Sequence, residues 1–507
     1  MPNPPVARRL ERAAPWLSAA VLLALYAPVL AMGPVGEDLQ WAYKGWITLR
    51  HPSSFLRPFH QHLRPAGRIF FTVSANLFGD HWWLYRTVAL LAAACLAVLA
   101  YRFLRRTAGM PPALAAAALL LWLGSPFSDE VLFVTNQVKQ VLYVTGVLLV
   151  LSGRRAEEVA PAWPMVAGAI LAFASKEEAI VLPALVFLQD LLLFRLSVRR
   201  AVRRALPWGI GALAYLAAYR SLVHFEAGWF YARPWLAAPN LLTTWGAFWH
   251  VHAPVLGRYV EALRSLWPAT VAAALATGLV VVRSWRRGDG RAAFGVTAAV
   301  VALAPTLPAN FQSPRYTFLA YLLFLSGIVP AAWSLASSAL PRVAIPALVF
   351  TLAAVSANDL LTVRGDAIDW GRYAALTRRL EAETGPVLEA LRAGRTVAVI
   401  RGADHAPLDW LLRHPAGVPK LYFPRPDDPY GVTSLSALVT WRLRREGTAA
   451  PRTALAGSPV EALSLVHDVG LFREVPPDPE AFFRPFGSGI VILSPVPALS
   501  LDPDVFP

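Results

Sequence analysis

Residues 16–32 read WLSAAVLLALYAPVLAM and contain no charged side chain. Two later stretches, Val88–Tyr101 (VALLAAACLAVLAY) and Ala272–Val282 (AAALATGLVVV), are uncharged as well. Across all 507 residues, 56% are hydrophobic and 16% are charged, whereas soluble proteins carry about 25% charged residues. Uncharged apolar stretches of this kind are typical of helices that cross the hydrocarbon core of a bilayer. The sequence therefore predicts a polytopic α-helical membrane protein.

Hydropathy and arginine placement together predict about eleven transmembrane helices of roughly 20 residues each, with the N-terminus in the cytoplasm. In that orientation the clusters of arginines between spans fall in cytoplasmic loops, as with Arg102–Arg106, Arg154–Arg155 and Arg195–Arg204. An odd number of spans then places the C-terminal segment outside. The predicted spans are 13–33, 82–101, 111–126, 131–151, 161–175, 179–195, 207–223, 267–282, 293–308, 316–335 and 342–358.

These spans define a transmembrane module over residues 1–358, from which residues 359–507 differ in composition. The latter segment is charged and Pro-rich, and it holds no apolar run of spanning length. Thr396–Ile400 and Gly489–Leu493 are short apolar runs typical of buried strands, and Asp369–Arg392 has helical spacing. We therefore expect a small α/β domain on the outer, exoplasmic face.

The net charge of +15 comes mainly from arginine, since only four of the 47 basic residues are lysines. The arginines are spread over many short loops and form no single basic patch, so nucleic acid is not expected as a partner. The single cysteine, Cys95, excludes a disulfide framework and a Cys-based metal site. Histidines 51, 60 and 62 lack metal-ligand spacing, so no metal cofactor is expected, although a divalent ion stays open.

The first outer loop, residues 34–81, departs from the positive-inside pattern because it carries Lys44, Arg64, Arg68 and further basic residues. Loops beyond roughly 12–15 residues are usually functional or disordered. The many aromatic residues of this loop argue against disorder and are typical of helices lying in the headgroup layer. Two interpretations of the basic side chains stay open: attraction to anionic lipid headgroups, or capture of a phosphate-bearing ligand.

Three pairs of acidic residues fall on the predicted outer face: Glu37–Asp38, Asp129–Glu130 and Glu177–Glu178. Carboxylates near a bilayer are costly, and they are usually functional or paired. A carboxylate is also a suitable general base for a hydroxyl nucleophile. Interfacial solvation explains one such pair, but three pairs on one face beside basic groups indicate a polar site.

The order of these residues resembles the GT-C superfamily of membrane glycosyltransferases, in particular its protein O-mannosyltransferase and aminoarabinose-transferase type. The acidic pair after the first span resembles the catalytic loop of that family, and the match extends over roughly residues 10–340. The motifs that carry the resemblance are Gly36–Asp38, Arg57-Pro58 through Gly67-Arg68, Leu77–Gly79, Tyr85-Arg86, Ser125-Pro126 with Asp129-Glu130, Ala174–Glu177 with Leu182-Pro183, and Pro314–Tyr316.

The resemblance implies a GT-C-like fold and transfer of a sugar, with inversion, from a polyprenyl-phosphate-linked donor to a protein, lipid or glycan acceptor on the outer face. It implies Asp38 or Glu37 as the base, with Glu130 orienting the acceptor or sharing that role. It also implies a multi-pass protein of a bacterial inner (cytoplasmic) membrane, whose C-terminal domain is periplasmic or extracellular. The implied ligands of the donor phosphate are Lys176, Arg315, Arg68, Arg64 and Lys44, and further site candidates are Asp129, Glu177 and Tyr316.

Two other functions compete with sugar transfer. A transporter or flippase of lipid-linked or anionic substrates would also explain the helices and the outer positive charge. It would place ionisable residues near midmembrane and broken helices in matching halves, and Lys139 is the residue that fits it best. A catalytically inactive relative is the third possibility, which the unusual Glu37-Asp38 order leaves open.

Overall fold

The computed structural model of the chain is predominantly helical over its first 365 residues. Four helical segments are long and apolar enough to cross a membrane: Ala13–Ala31, Trp82–Arg106, Trp267–Arg286 and Pro314–Ser338. The prediction of a helical membrane protein is thereby confirmed. The structure describes residues 4–33, 38–56, 62–157, 162–223, 234–251, 259–308, 314–339, 342–343, 346, 349–365, 397–400, 451–456, 472–474 and 490–495.

Residues 349–365 are helical as well. Short 3-10 helices follow α1 and precede α7, α9 and α11, and a π-helical turn at Gln189–Leu193 follows α9. The α-helices are α1 (Pro4–Tyr26), α2 (Asp38–Arg50), α3 (Pro65–Phe78), α4 (Trp82–Arg106), α5 (Pro112–Leu123), α6 (Asp129–Phe133), α7 (Val138–Gly153), α8 (Trp163–Ser175), α9 (Leu182–Leu188), α10 (Val198–Leu222), α11 (Ala237–Phe248), α12 (Tyr259–Arg286), α13 (Arg291–Leu303) and α14 (Pro314–Ala339).

Each predicted span overlaps described helical residues, although several of these helices are shorter than a bilayer is thick. The shorter apolar ones are Pro112–Leu123, Trp163–Ser175 and Arg291–Leu303. The number of eleven spans and their orientation therefore stay predictions. Two predicted spans are not continuous α-helices. Span 131–151 begins in the short helix α6, which a 3-10 segment separates from α7. Span 179–195 consists of a 3-10 segment, α9 and a π-helical turn in succession.

Small residues bring α7 and α8 into close contact. A Cβ atom on Gly146 would lie 2.4 Å from the carbonyl oxygen of Gly168, so neither helix tolerates a side chain at this crossing. Close approach at small residues is a common way for helices to associate in a membrane, where burial of apolar surface between helices gives little free energy. The crossing also positions the site, because it places Gln140 at the start of α7 beside Lys176, which follows α8.

The first outer loop contains two helices, α2 and α3, packed against each other. Pro65 begins α3, as the fixed φ of proline favours at a first helical position, and Arg64 is the residue before it. Helices in this loop are what its aromatic residues predict. Trp41 and Phe71 pack between the two helices with ring centroids 5.8 Å apart. The pair of helices thus presents Asp38, at the start of α2, to the bundle.

We expect Gly45→Ala to separate α2 from α3, because its Cβ atom would lie 2.4 Å from the backbone carbonyl carbon and oxygen of Phe71. Overpacking of this kind costs about 1–3 kcal/mol, which should lower the thermal unfolding temperature in detergent measurably. Gly209→Ala is the matched control, since nothing lies within 4 Å of its Cβ position in α10. Equal unfolding temperatures for the two variants would show that the α2–α3 contact does not stabilise the protein.

A polar contact that the sequence does not predict joins α11, α14 and the helical residues 349–365. The sequence predicts that the segment containing α11 is part of an outer loop, but α11 is a helix that packs along α12. At its end, His250 Nε2 lies 3.1 Å from the Tyr321 hydroxyl, and His250 Nδ1 lies 3.3 Å from an Asp359 carboxylate oxygen. Asp359, assigned by sequence to the outer segment, is therefore a buried residue of a helix that continues to residue 365.

Four short strands are described in the C-terminal segment: β1 (Val397–Ile400), β2 (Pro451–Ala456), β3 (Phe472–Glu474) and β4 (Ile490–Pro495). They pair antiparallel in the order β2-β4-β1-β3. The predicted strands at 396–400 and 489–493 overlap β1 and β4. The predicted helix Asp369–Arg392 lies outside the described residues, so the α/β domain and its boundary at 358/359 stay predictions.

Candidate active site

Asp38, the first residue of α2, is completely buried. Its Oδ1 accepts a hydrogen bond of 2.8 Å from the backbone N–H of Asn136, and its Oδ2 lies 3.6 Å from Nη2 of Arg86. An N–H donor, a nearby guanidinium and a helix N-terminus all favour the charged form of a carboxylate. The environment of Asp38 thus suits a group that accepts a proton.

Arg86, on α4, ties the Asp38 region together. Its Nε and Nη2 donate to the carbonyl oxygens of Met32 (3.1 Å) and Gly33, at the end of the first helical segment. Its Nη1 donates 2.8 Å to the carbonyl oxygen of Phe133, at the end of α6. In the sequence, Arg86 stands out only as part of the Tyr85-Arg86 motif, which assigns it no role. The signal in the sequence is a charged residue within an otherwise apolar helix. Arg86 is completely buried in the structure, and a buried arginine needs several partners.

A short polar segment, Thr135–Gln140, follows α6 and includes the first turn of α7. Its polar residues are all buried, and Gln137 donates 2.6 Å to the side-chain oxygen of Asn136. Lys139 lies over the ring of Trp41 at 4.7 Å, a cation–π contact. Of this segment, only Lys139 was a candidate from the sequence, although TNQVKQ is a run of mainly polar residues at the head of an apolar helix.

Lys176 lies where the chain leaves α8 in extended conformation. Its Nζ donates to Gln140 Oε1 (2.5 Å) and lies 2.8 Å from Glu178 Oε1. Its Nζ is also 5.3 Å from the ring centroid of Tyr316. Burial lowers the pKa of the Lys176 ammonium, and the neighbouring Glu178 carboxylate opposes that shift. Lys176 is therefore a buried cation held by one acid and one amide.

Arg64 pairs with Glu177, the neighbour of Lys176 in sequence. The Arg64 guanidinium donates from Nε and Nη2 to both carboxylate oxygens, the shortest distance being 2.8 Å. Nδ1 of His62 lies 3.1 Å from Glu177 Oε1. Burial alone would raise the pKa of Glu177, but the charges of Arg64 and His62 outweigh it and hold that pKa well below its ordinary value. Glu177 is thus a structural counterion in this geometry.

Glu130 and Arg315 form the third pair, although 185 positions separate them in the sequence. Arg315 donates from Nη1 to Glu130 Oε1 at 2.9 Å and from its backbone N–H to Oε2 at 3.2 Å. The Arg315 guanidinium also lies 5.2 Å from the ring centroid of Tyr316. The carboxylate of Asp129 accepts from the Glu130 backbone N–H. Glu130 is completely buried, and Arg315 contacts both of its carboxylate oxygens.

These three pairs, Lys176–Glu178, Arg64–Glu177 and Arg315–Glu130, are called the ion-pair cluster below. Tyr316 connects two of them, because it contacts both Lys176 and Arg315. The polar segment connects the cluster to Asp38, through Asn136 at one end and Gln140 at the other. The structure therefore brings Asp38, Glu130, Lys176 and Arg315 into one connected network.

Two further predicted site residues, Arg68 and Lys44, lie on the helices of the first outer loop. Arg68 lies in the first turn of α3, and its burial lowers its pKa to about 10. Lys44 lies on α2, where its carbonyl accepts a 2.7 Å hydrogen bond from Thr48. Glu37 lies outside the described residues. Among the residues that the structure describes, no group of three or more His, Cys, Asp or Glu side chains is arranged to hold a metal ion.

Residues 60–224 match the model of a family described as dolichyl-phosphate-mannose-protein mannosyltransferase. The matched family belongs to the GT-C superfamily of glycosyltransferases. The resemblance seen in the sequence is thereby confirmed, and together with the apolar helices it supports a membrane glycosyltransferase. No curated protein and no solved structure matches the chain.

The matched residues contain most of the network but not all of it. Arg64, Arg86, Glu130 and Lys176 lie inside the matched segment. Asp38 lies before it and Arg315 after it, yet Asp38 contacts Asn136 and Arg315 contacts Glu130 of the matched segment. The matched segment therefore shares its polar network with the first loop helix and with the start of α14.

Proposed function

We propose that the protein transfers a sugar from a polyprenyl-phosphate-linked donor to a hydroxyl acceptor on the outer face of the membrane, with inversion at the anomeric carbon. The observation that carries the proposal is the link between a completely buried carboxylate, Asp38, and three cations, through the polar segment Thr135–Gln140, within a GT-C family domain. The description of the matched family favours a protein as the acceptor.

In the proposed reaction, Asp38 takes the proton of the acceptor hydroxyl as its oxygen attacks the anomeric carbon. The bond between that carbon and the phosphate oxygen breaks, and the lipid phosphate leaves with the electron pair. Negative charge grows on the phosphate during this step, and Lys176, Arg315 and Arg64 are the cations placed to stabilise it. Arg86 holds Asp38 and the two chain segments on either side of it, which is a positioning role.

The donor phosphate must exchange with carboxylates that the cations already contact. Arg315 and Glu177 have side chains that are each 18% exposed, whereas Lys176 is almost completely buried. The donor phosphate therefore enters past the partly exposed side chains, and Lys176 lies deeper, beside Tyr316. This order suits a phosphate that first meets Arg315 and then reaches Lys176.

The proposal is tested by sugar transfer in reconstituted membranes. Radiolabelled dolichyl-phosphate mannose and other polyprenyl-phosphate sugars are supplied with peptide, lipid and glycan acceptors in turn. Wild-type protein should label one class of acceptor. Asp289→Asn is a control, because that carboxylate belongs to an ion pair with Arg291 at a predicted cytoplasmic loop. Donor translocation without labelled acceptor would favour a transporter, and neither activity would favour an inactive relative.

We expect Lys176→Met to raise the KM for the donor roughly tenfold or more and to lower kcat as well, because a preorganised charge on the leaving group is lost. The measurement is initial rate against donor concentration. Arg291→Met is the matched control, since it also removes a cation from a short ion pair (2.7 Å). An unchanged donor KM in Lys176→Met would remove Lys176 from the phosphate site.

A further inference from the structure

Glu178 differs from the other carboxylates of the network in how its oxygens are used. Both oxygens of Glu177 accept hydrogen bonds from Arg64, and both oxygens of Glu130 accept from Arg315. In Glu178, Oε1 contacts Lys176 at 2.8 Å, while Oε2 is buried and has no hydrogen-bond partner among the described residues. A buried carboxylate oxygen without a donor is costly, so such an atom indicates a missing partner.

Glu178 lies next to the residue that would bind the donor phosphate. Lys176, the deepest cation of the cluster, is the candidate ligand of the donor phosphate, and Glu178 lies directly against its ammonium group. The sugar is covalently joined to that phosphate. A group in contact with Lys176 therefore lies beside the first sugar ring when the phosphate is bound.

We propose that Glu178 recognises the donor sugar by accepting a hydrogen bond on Oε2 from one of its ring hydroxyls. The proposal rests on the proposed sugar transfer and assigns the sugar-reading role to a residue distinct from the base and from the phosphate ligands. Glu177, its neighbour in sequence, has no such role, because Arg64 and His62 already occupy its oxygens.

The charges around Glu178 support an acceptor that stays ionised. Burial would raise the pKa of its carboxyl group, but the charges of Lys176 and Arg64 and the hydrogen bond from Lys176 together outweigh burial and lower that pKa. An ionised carboxylate accepts hydrogen bonds and donates none, so it recognises a donor group on the sugar. The nearby Lys176, Arg64 and Arg315 repel a second cation, which favours a neutral hydroxyl over the ammonium group of an amino sugar.

A hydrogen bond to a charged acceptor should give strong selectivity for the hydroxyl it reads. Removing one partner of such a bond leaves the buried charge unsatisfied, and sites of this kind reject analogues that lack the group. We expect a donor deoxygenated at the recognised position to lose roughly 10- to 100-fold in kcat/KM relative to the intact donor. Donors deoxygenated elsewhere should lose much less.

The test compares dolichyl-phosphate mannose with its 2-, 3-, 4- and 6-deoxy forms and an amino-deoxy form, for wild type and Glu178→Gln. The readout is the ratio of kcat/KM between each analogue and the intact donor within one variant. That ratio does not depend on how much of the protein is folded or active. In Glu178→Gln, the ratio at one position should move at least tenfold toward one, while the ratios at the other positions stay as in wild type.

Glu177→Gln is the matched control, and it should lower the rates with all donors by a common factor. Glu178→Asp replaces Glu178→Gln if the latter does not fold, because it keeps the charge and withdraws the oxygen from the sugar. Ratios that stay unchanged in the Glu178 variants, while wild type transfers mannose, would overturn the inference and leave the proposed function intact. A wild-type preference for the amino-deoxy donor would overturn the hydroxyl assignment, and no transfer from any donor would overturn the proposed function itself.

Discussion

Asp38→Asn should lower the turnover of sugar transfer by about 10²- to 10⁴-fold, the contribution typical of a positioned general base. The asparagine side chain has nearly the same shape and can still accept the backbone N–H of Asn136, which lies 2.8 Å from the native carboxylate. It cannot take the acceptor proton. The donor KM should change little, because the cations of the ion-pair cluster have carboxylate partners of their own, Glu177, Glu178 and Glu130. Initial rates at saturating acceptor measure the effect.

Glu37→Gln is the matched variant for this prediction, since it neutralises the adjacent carboxylate. We expect a smaller loss than in Asp38→Asn, because Asp38 is the residue that contacts Arg86 and Asn136. Full activity in Asp38→Asn together with a large loss in Glu37→Gln would transfer the role of base to Glu37. Full activity in both would remove the first loop from the chemistry.

Arg86→Met should destabilise the protein by about 3–5 kcal/mol, as expected when one partner of a buried ion pair is removed. The change leaves Asp38 buried beside an apolar side chain. It also withdraws the donors that the carbonyl oxygens of Met32, Gly33 and Phe133 use. Thermal or denaturant unfolding in detergent measures the loss, and activity should fall with it because the segments around Asp38 lose their common anchor.

A double variant separates the two contributions of Arg86. If the ion pair with Asp38 matters, Arg86→Met combined with Asp38→Asn should be less destabilised than the sum of the single variants. Arg220→Met is the control, because it removes an arginine from an exposed position at the end of α10 and should leave stability nearly unchanged. Strict additivity of Arg86→Met and Asp38→Asn would show that Arg86 acts through the carbonyl groups alone.

The sequence predicts the charged members of the site better than their contacts. Asp38, Glu130 and Lys176 stand out because charge is rare in an apolar chain, so each one demands an explanation. Their pairing does not follow from local pattern. Glu130 contacts Arg315 across 185 positions, and only the packing of α6 against α14 brings them together.

The uncharged parts of the site are harder to find from sequence for a related reason. Gln140 and Asn136 are amides at the head of an apolar helix, where a polar side chain can also serve as a cap or turn residue by bonding to the backbone. The helix α11 was missed because it follows a stretch that reads as outer loop. The start of α3, by contrast, has a local signal in the sequence, since Pro65 begins the helix.

Arg64 is the residue of the basic first loop whose contacts bear on its two interpretations, lipid headgroups or a phosphate-bearing ligand. Arg64 pairs with Glu177 and contacts His62, so its guanidinium belongs to the ion-pair cluster. The carboxylate partner raises the pKa of Arg64 above its ordinary value, although burial opposes that change. Attraction to lipid headgroups does not require such a partner, and under the proposed function Arg64 serves the donor phosphate.

The carboxylate partners of the cluster have a consequence for turnover under the proposed function. A sugar-linked lipid phosphate carries one negative charge, and after the sugar leaves, the phosphate monoester approaches two at neutral pH. The same cations then attract the product more strongly than the donor. Glu178, Glu177 and Glu130 lie within contact distance of those cations and compete with the spent lipid for them. The built-in acids thereby favour product release and let the next donor enter.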